Sequence, residues 1–220
     1  MYVLHYAPDN ASLIIRLALL EAGLPFRTAL VDRSTRAQDS AAYRRLNPTG
    51  LIPVLETDEG PISETGAILL WLADRHPELA PQAQRGDFLK WLFFLSNTAH
   101  ADIRHLFYPD LYVGPEGHDG HRARLQARMQ THFGQLDRVA DTPLFAPPSV
   151  LALYAAALLR WSVLYTRPDW FRLADYPALA ARAAALEIRP SVAALIAAEG
   201  LGPRPFTEPQ PCRPPEGSAL

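Results

Sequence analysis

The chain has 220 residues, 49% of them apolar and 20% charged, with a formal net charge of -2. This is ordinary composition for a globular protein of one or two domains, and it argues against a basic nucleic-acid face or a polybasic membrane patch. The single cysteine, Cys212, excludes an intrachain disulfide framework and a Cys-x-x-Cys redox pair, so any thiol chemistry needs a thiol from outside.

The opening MYVLHYAPDN has no basic stretch leading into an apolar one, so no signal peptide is expected. The longest strongly apolar run, near Leu151–Leu159, is too short to span a bilayer. The expected compartment is the cytoplasm.

Residues 2–6 (YVLHY) are aromatic and β-branched and read as a strand. From Ser12 the spacing of Leu13, Ile14, Leu17, Ala18 and Leu20 predicts a helix, with Ser12 as N-cap and Gly23 as its stop before Pro25. Residues 26–32 read as a second strand, followed by a helical or irregular stretch over 35–46. Short strands at 54–57 and 61–63 flank the turn Asp58-Glu59-Gly60. A helix over Thr65–Arg75 stops before Pro77. The order βαβαββα implies a mixed sheet with helices packed on it.

After a polar linker at 77–85 the chain turns helical. An apolar-rich segment covers 86–108, a loop 109–120, and an amphipathic helix 121–139 with Leu125, Met129, Phe133 and Leu136 on one face. Two more helices are expected at 149–165 and 176–199. Six prolines between Pro203 and Pro215 predict an extended or disordered tail over 201–220.

Two segments carry chemistry. The first is Asn47-Pro48-Thr49-Gly50-Leu51-Ile52-Pro53-Val54. A cis Ile52–Pro53 bond would turn the Ile52 N–H and C=O outward to pair with an extended peptide, whereas a trans bond would be an ordinary start to a strand. The second is Ser63-Glu64-Thr65-Gly66, where a strand passes into a helix. Unpaired N–H groups there suit a ligand carboxylate, and Glu64 suits an ammonium; plain helix capping uses the same residues.

The two segments together, NPTGLIPVLE at 47–56 and SETGAILLWLADR at 63–75, resemble the glutathione S-transferase family, in its bacterial branch near the beta and nu classes. YAPDNASLIIRLALLEAGLPF at 6–26, KWLFFLSNTAH at 90–100 and AALLRW at 156–161 extend the resemblance over roughly residues 1–200. It implies a thioredoxin-like domain over 1–76 and an all-helical domain over 86–200. It also implies glutathione as cosubstrate, no metal, a homodimer, and conjugation of a small apolar electrophile as in detoxification. A non-catalytic glutathione-binding protein, or a glutathione-dependent disulfide reductase or peroxidase, is the alternative. No nucleic acid or membrane partner is implied.

By the same resemblance, the Ile52 main chain, beside a cis Pro53, would pair with the cysteinyl part of glutathione. Glu64 and Thr65 would hold its γ-glutamyl end, Arg33 could reach the glycine carboxylate, and His100 would line the cleft. The activating position departs from the family. The beta-class cysteine falls on Ala11, the serine-class position on Asn10 and the tyrosine-class position on His5. Ser12, Asn10 and Tyr6 are the available donors to the sulfur, with Ser12 first and N-capping as its competing role. His118 and His121, with Asp119, lack a third strong metal ligand. Trp91, Phe93, Phe94, Phe107, Tyr108 and Tyr112 read mainly as core, with a second-substrate pocket as the rival reading. Ser149-Val150-Leu151-Ala152 keeps the serine of the family's capping box and lacks its acid, so restoring Asp at 152 is expected to raise stability.

Overall fold

A computed structural model describes residues 1–81, 83–166 and 169–219. Gln82 of the expected linker, Arg167 and Pro168 of the expected helical region, and Leu220 of the expected tail lie outside the described residues.

Alternating residues make β1, Tyr2–Tyr6, with Leu4 and Tyr6 turned into the core. Helix α1, Ser12–Glu21, follows. It is buried from Ser12 to Leu19 and packs against α3, α7 and α9 (ranges below) as well as β1. Each leucine it buries completely contributes about 1.5–3 kcal/mol. Gly23, at φ 62, ends it in the left-handed conformation that glycine adopts without strain. β2 spans Phe26–Leu30, β3 Val54–Thr57 and β4 Gly60–Ser63, giving a four-stranded sheet in the order β2-β1-β3-β4. β1 runs parallel to β2 and antiparallel to β3. The expected stretch at 35–46 is two 3-10 turns followed by α2, Ala41–Leu46, which Ser40 caps through the Tyr43 N–H. α3 spans Thr65–Arg75, the bounds expected from the sequence.

The linker is held rather than loose. Pro77–Leu79 form a 3-10 turn, and Leu79 and Ala80 are buried. The segment at 86–108 is one helical path with a change of pitch inside it: α4, Arg85–Phe93, a π-helical stretch Phe94–Ala99, and α5, His100–Phe107. The π stretch faces α3. A Cβ on Gly66 would lie 3.0 Å from Ser96 Oγ, so the two helical paths pack closely at this crossing. α6, His118–Ala140, begins three residues before its expected start and buries Leu125, Met129, Phe133 and Leu136.

α7, Val150–Leu164, is the most deeply buried helix of this half. Ser149 caps it by accepting from the Leu151 N–H at 3.3 Å. The expectation for position 152 is reversed. The Ser149 N–H that an acid there would serve already donates to the Ala146 carbonyl at 3.0 Å, and Ala152 is buried. The single helix expected at 176–199 is two, α8 (Pro177–Glu187) and α9 (Pro190–Glu199). Pro190 drives Arg189 into extended backbone, φ -83 and ψ 144, and restarts the helix.

The tail corrects the expectation of disorder while keeping its extended form. Leu201 and Phe206 are fully buried. Arg160 Nη1 donates to the carbonyls of Leu201 and Pro205, and its Nη2 to that of Gln210. Glu187 accepts from the N–H groups of Phe206 and Thr207, and the Arg213 N–H returns to the Gly200 carbonyl at 2.8 Å.

Candidate functional site

The sheet register explains why residues distant in sequence share one edge. Tyr6 is level with Leu30, His5 with Val54, and Val54 with Ser63. Strands β1, β2 and β4 end on this line and β3 begins there. The loop before α1, the turn after β2, the Ile52–Pro53 segment and the start of α3 therefore emerge at the same end of the sheet.

Ile52–Pro53 is a cis peptide, and Ile52 lies outside the strand pairing, which starts at Val54. Asn47 and Tyr43 hold the preceding turn through the Leu51 carbonyl, each at 2.8 Å. Next to it, Glu64 is exposed and takes φ 70, a left-handed conformation that costs a non-glycine residue about 1–3 kcal/mol. This strain falls where the sequence placed a ligand contact. Among the described residues no side chain caps α3, so its first-turn N–H groups are open to an anion, with Thr65 buried beside them. The Glu64 carboxylate adds to burial in raising the Tyr154 hydroxyl pKa, which brings α7 to the site. Tyr154 OH lies 2.7 Å from His100 Nδ1, and the Trp161 ring lies 5.3 Å from the His100 ring. Enclosure there pushes His100 down to about 4, so it is neutral at physiological pH.

The donors proposed for a sulfur fare unequally. Ser12 is fully buried; its Oγ donates to the Ala7 carbonyl at 2.9 Å and accepts from the Ala7 N–H at 3.2 Å. It is neither the N-cap, which is Ala11, nor open to a ligand, because the turn from β1 has claimed the hydroxyl. Tyr6 OH donates to Glu216 of the tail at 2.5 Å, and burial, reinforced by Glu216, pushes it up to about 12. Asn10 stands at the start of α1, half-buried, with its Oδ1 enclosed and unpartnered. Arg33 points elsewhere than expected. It donates to the Ala219 carbonyl and, at 2.9 Å, to Tyr108 OH, because β2 is the edge strand farthest from β4.

Sequence reasoning missed a buried charge cluster behind this edge. Asp9, at φ 48, accepts from Arg160 Nε at 2.8 Å and Nη2 at 2.6 Å, from Trp161 Nε1 at 3.0 Å and from Tyr165 OH at 2.5 Å. Glu199 accepts from the Asp9 N–H and from Arg16 Nε, each at 2.8 Å. Burial outweighs Arg16 and pushes Glu199 up to about 7. The available signal was Arg160 itself, a charge placed directly after the longest apolar run. Among the described residues, no cluster of His, Cys, Asp or Glu could hold a metal ion, and no helix is long and apolar enough to cross a membrane.

A mixed four-stranded sheet carrying a cis-proline edge, joined to a helical half, defines a thioredoxin-like glutathione-transferase architecture. The model of the glutathione S-transferase N-terminal domain matches residues 11–75. Glutathione S-transferase GstA of Escherichia coli O157:H7 is 30% identical over 90% of this chain and 98% of its own. The chain belongs to the glutathione S-transferase family. Among solved structures, a sphingomonad glutathione S-transferase complexed with glutathione is 30% identical, with a TM-score of 0.74 over 91% of this chain and 100% of that one. A Burkholderia graminis glutathione transferase with two glutathione molecules bound per subunit is 25% identical, with a TM-score of 0.79 over 91% and 89%.

Proposed function

We propose that the protein is a glutathione transferase that binds glutathione along the edge Ile52–Glu64–Asn10 and presents its thiolate to a small apolar electrophile. The observation that carries this reading is the shared sheet end, where a free main-chain edge at Ile52, the uncapped start of α3 and the start of α1 converge. Ile52 supplies main-chain pairing to the cysteinyl part. Thr65 and the α3 N–H groups take the γ-glutamyl carboxylate, Glu64 takes its ammonium, and His100 forms the facing wall as a neutral group.

A free thiol ionises near pH 8.5, and each unit of lowering needs about 1.4 kcal/mol of preference for the anion. With Ser12 engaged by Ala7 and Tyr6 by Glu216, the Asn10 amide and the α1 N-terminus are the groups left to supply it. Glutathione then attacks through sulfur, and the protein contributes orientation and thiolate stabilisation. We further propose the division into domains at 1–76 and 86–200 with a linker at 77–85, action in the cytoplasm, and a homodimer, following the family.

The test pairs two measurements. Calorimetry should give a submillimolar glutathione Kd, weakened roughly tenfold by Glu64→Gln through loss of a charge-assisted contact. Ultraviolet titration of bound glutathione should show thiolate near neutral pH, with the thiol pKa rising by about one unit in Asn10→Ala. No heat at millimolar glutathione overturns binding; an unmoved thiol pKa removes Asn10 from the chemistry.

A further inference from the structure

The tail does more than cover apolar surface. Its first part is anchored by three carbonyls on Arg160, by Glu187, and by the Arg213 N–H on Gly200. The approach at Gly200 is so close that a Cβ there would lie 2.0 Å from the Arg213 carbonyl oxygen. From that anchor the chain runs across the ends of β1 and β2. Glu216 accepts from Tyr6 OH, and Gly217, at φ 71, lies against Leu30 and Pro8. The Ala219 carbonyl accepts from Arg33.

These contacts lie at the ends of β1 and β2. Ile52 and Glu64 lie on the β3–β4 side. If glutathione lies along the latter with its sulfur at Asn10, a substituent on sulfur that leaves the β3–β4 side would meet Pro8, Gly217 and Glu216. The cations nearby are already engaged: Arg16 stacks 4.3 Å from the Tyr6 ring centre and pairs with Glu199, and Arg33 is held by Tyr108 and Ala219. Glu216 itself is exposed, and its carboxylate has no ion-pair partner among the described residues.

We propose that Glu216 is a specificity-determining residue. Seated on Tyr6 by the anchored tail, its carboxylate makes the second-substrate side of the cleft accept neutral electrophiles and reject anionic ones. This inference rests on the glutathione-transferase reading above.

The test uses full-length protein and two glutathione conjugates, S-benzylglutathione and S-(4-carboxybenzyl)glutathione, with glutathione alone as reference, all by calorimetry. Wild type should bind the neutral conjugate about fivefold more tightly than the charged one. That ratio equals a repulsion of about 1 kcal/mol across a partly solvated gap. Glu216→Gln should bring the two within about twofold by tightening only the charged conjugate, and added salt should shrink the wild-type ratio. A ratio unchanged by Glu216→Gln overturns the proposal, as does equal loss of both conjugates or tighter wild-type binding of the charged one. Failure of glutathione itself to bind either protein is a separate result: it removes the transferase reading and this inference with it.

Discussion

The two sides of the sheet's ligand edge solve opposite problems. On the β1–β2 side, Tyr6, Arg33 and the Asp9 side chain find partners within the chain, in Glu216, Ala219, Tyr108 and Arg160. On the β3–β4 side, the Ile52 edge, the α3 N-terminus and exposed Glu64 have no such partners among the described residues, and Glu64 holds a strained backbone. A polar group satisfied internally stabilises the fold, whereas one held ready at a cost is available to a ligand. Substitutions should therefore divide: stability effects from the first side, affinity effects from the second.

The largest effect should come from Arg160→Met. Arg160 and Asp9 both have fully buried side chains, and Arg160 also holds three tail carbonyls. Its removal leaves a buried carboxylate with no cation and should lower unfolding free energy by about 3–5 kcal/mol in denaturant titration. A loss below about 1 kcal/mol would mean that water reaches Asp9 and that the two sides are not so different. Glu64→Gln, on the open side, is the control: its effect should fall on glutathione affinity.

Ala152→Asp sharpens the same point inside the helical half. The Ser149 N–H is already bonded to Ala146, so a carboxylate at 152 would be buried without a donor. The expected loss is about 1–3 kcal/mol, read as a lower thermal midpoint. A raised midpoint would restore the capping-box argument made from sequence.

What could be read from the sequence divides along the same physical line. Strand composition, the turn at Asp58-Glu59-Gly60 and the stop before Pro77 placed β1, β3 and α3, and the Ile52–Pro53 and Glu64–Thr65 segments fell at the sheet end, because local patterns encode them. The Ser12 hydroxyl was misplaced because its partner, Ala7, is chosen by the turn geometry rather than by a motif. The tail reads as extended or disordered because its prolines prevent regular pairing. Its actual bonds go to Arg160 and Glu187, contacts that only tertiary structure creates. Arg33 was assigned to glutathione from its place after β2, and the strand order turned it toward Tyr108 and the tail.

The smallest effect expected is one of slope. His100 has its pKa lowered from 6.5 to about 4, first by burial and then by Arg104. Between those values the unfolded chain binds a proton that the folded chain refuses. The residue's contribution is thus complete above pH 6.5 and declines as pH falls toward 4. Glu199 acts in the opposite sense: with its pKa raised to about 7, the folded chain holds a proton there that the unfolded chain releases, so its contribution grows as pH falls from 7. The two slopes offset one another in the raw stability curve of the wild type. The difference between wild type and His100→Gln isolates the first, since Glu199 is common to both proteins. That difference curve should rise with pH from 4 to 6.5 and flatten above. A flat difference curve across this window would mean that His100 titrates normally and is open to water in the free protein, and would remove the neutral wall facing Glu64.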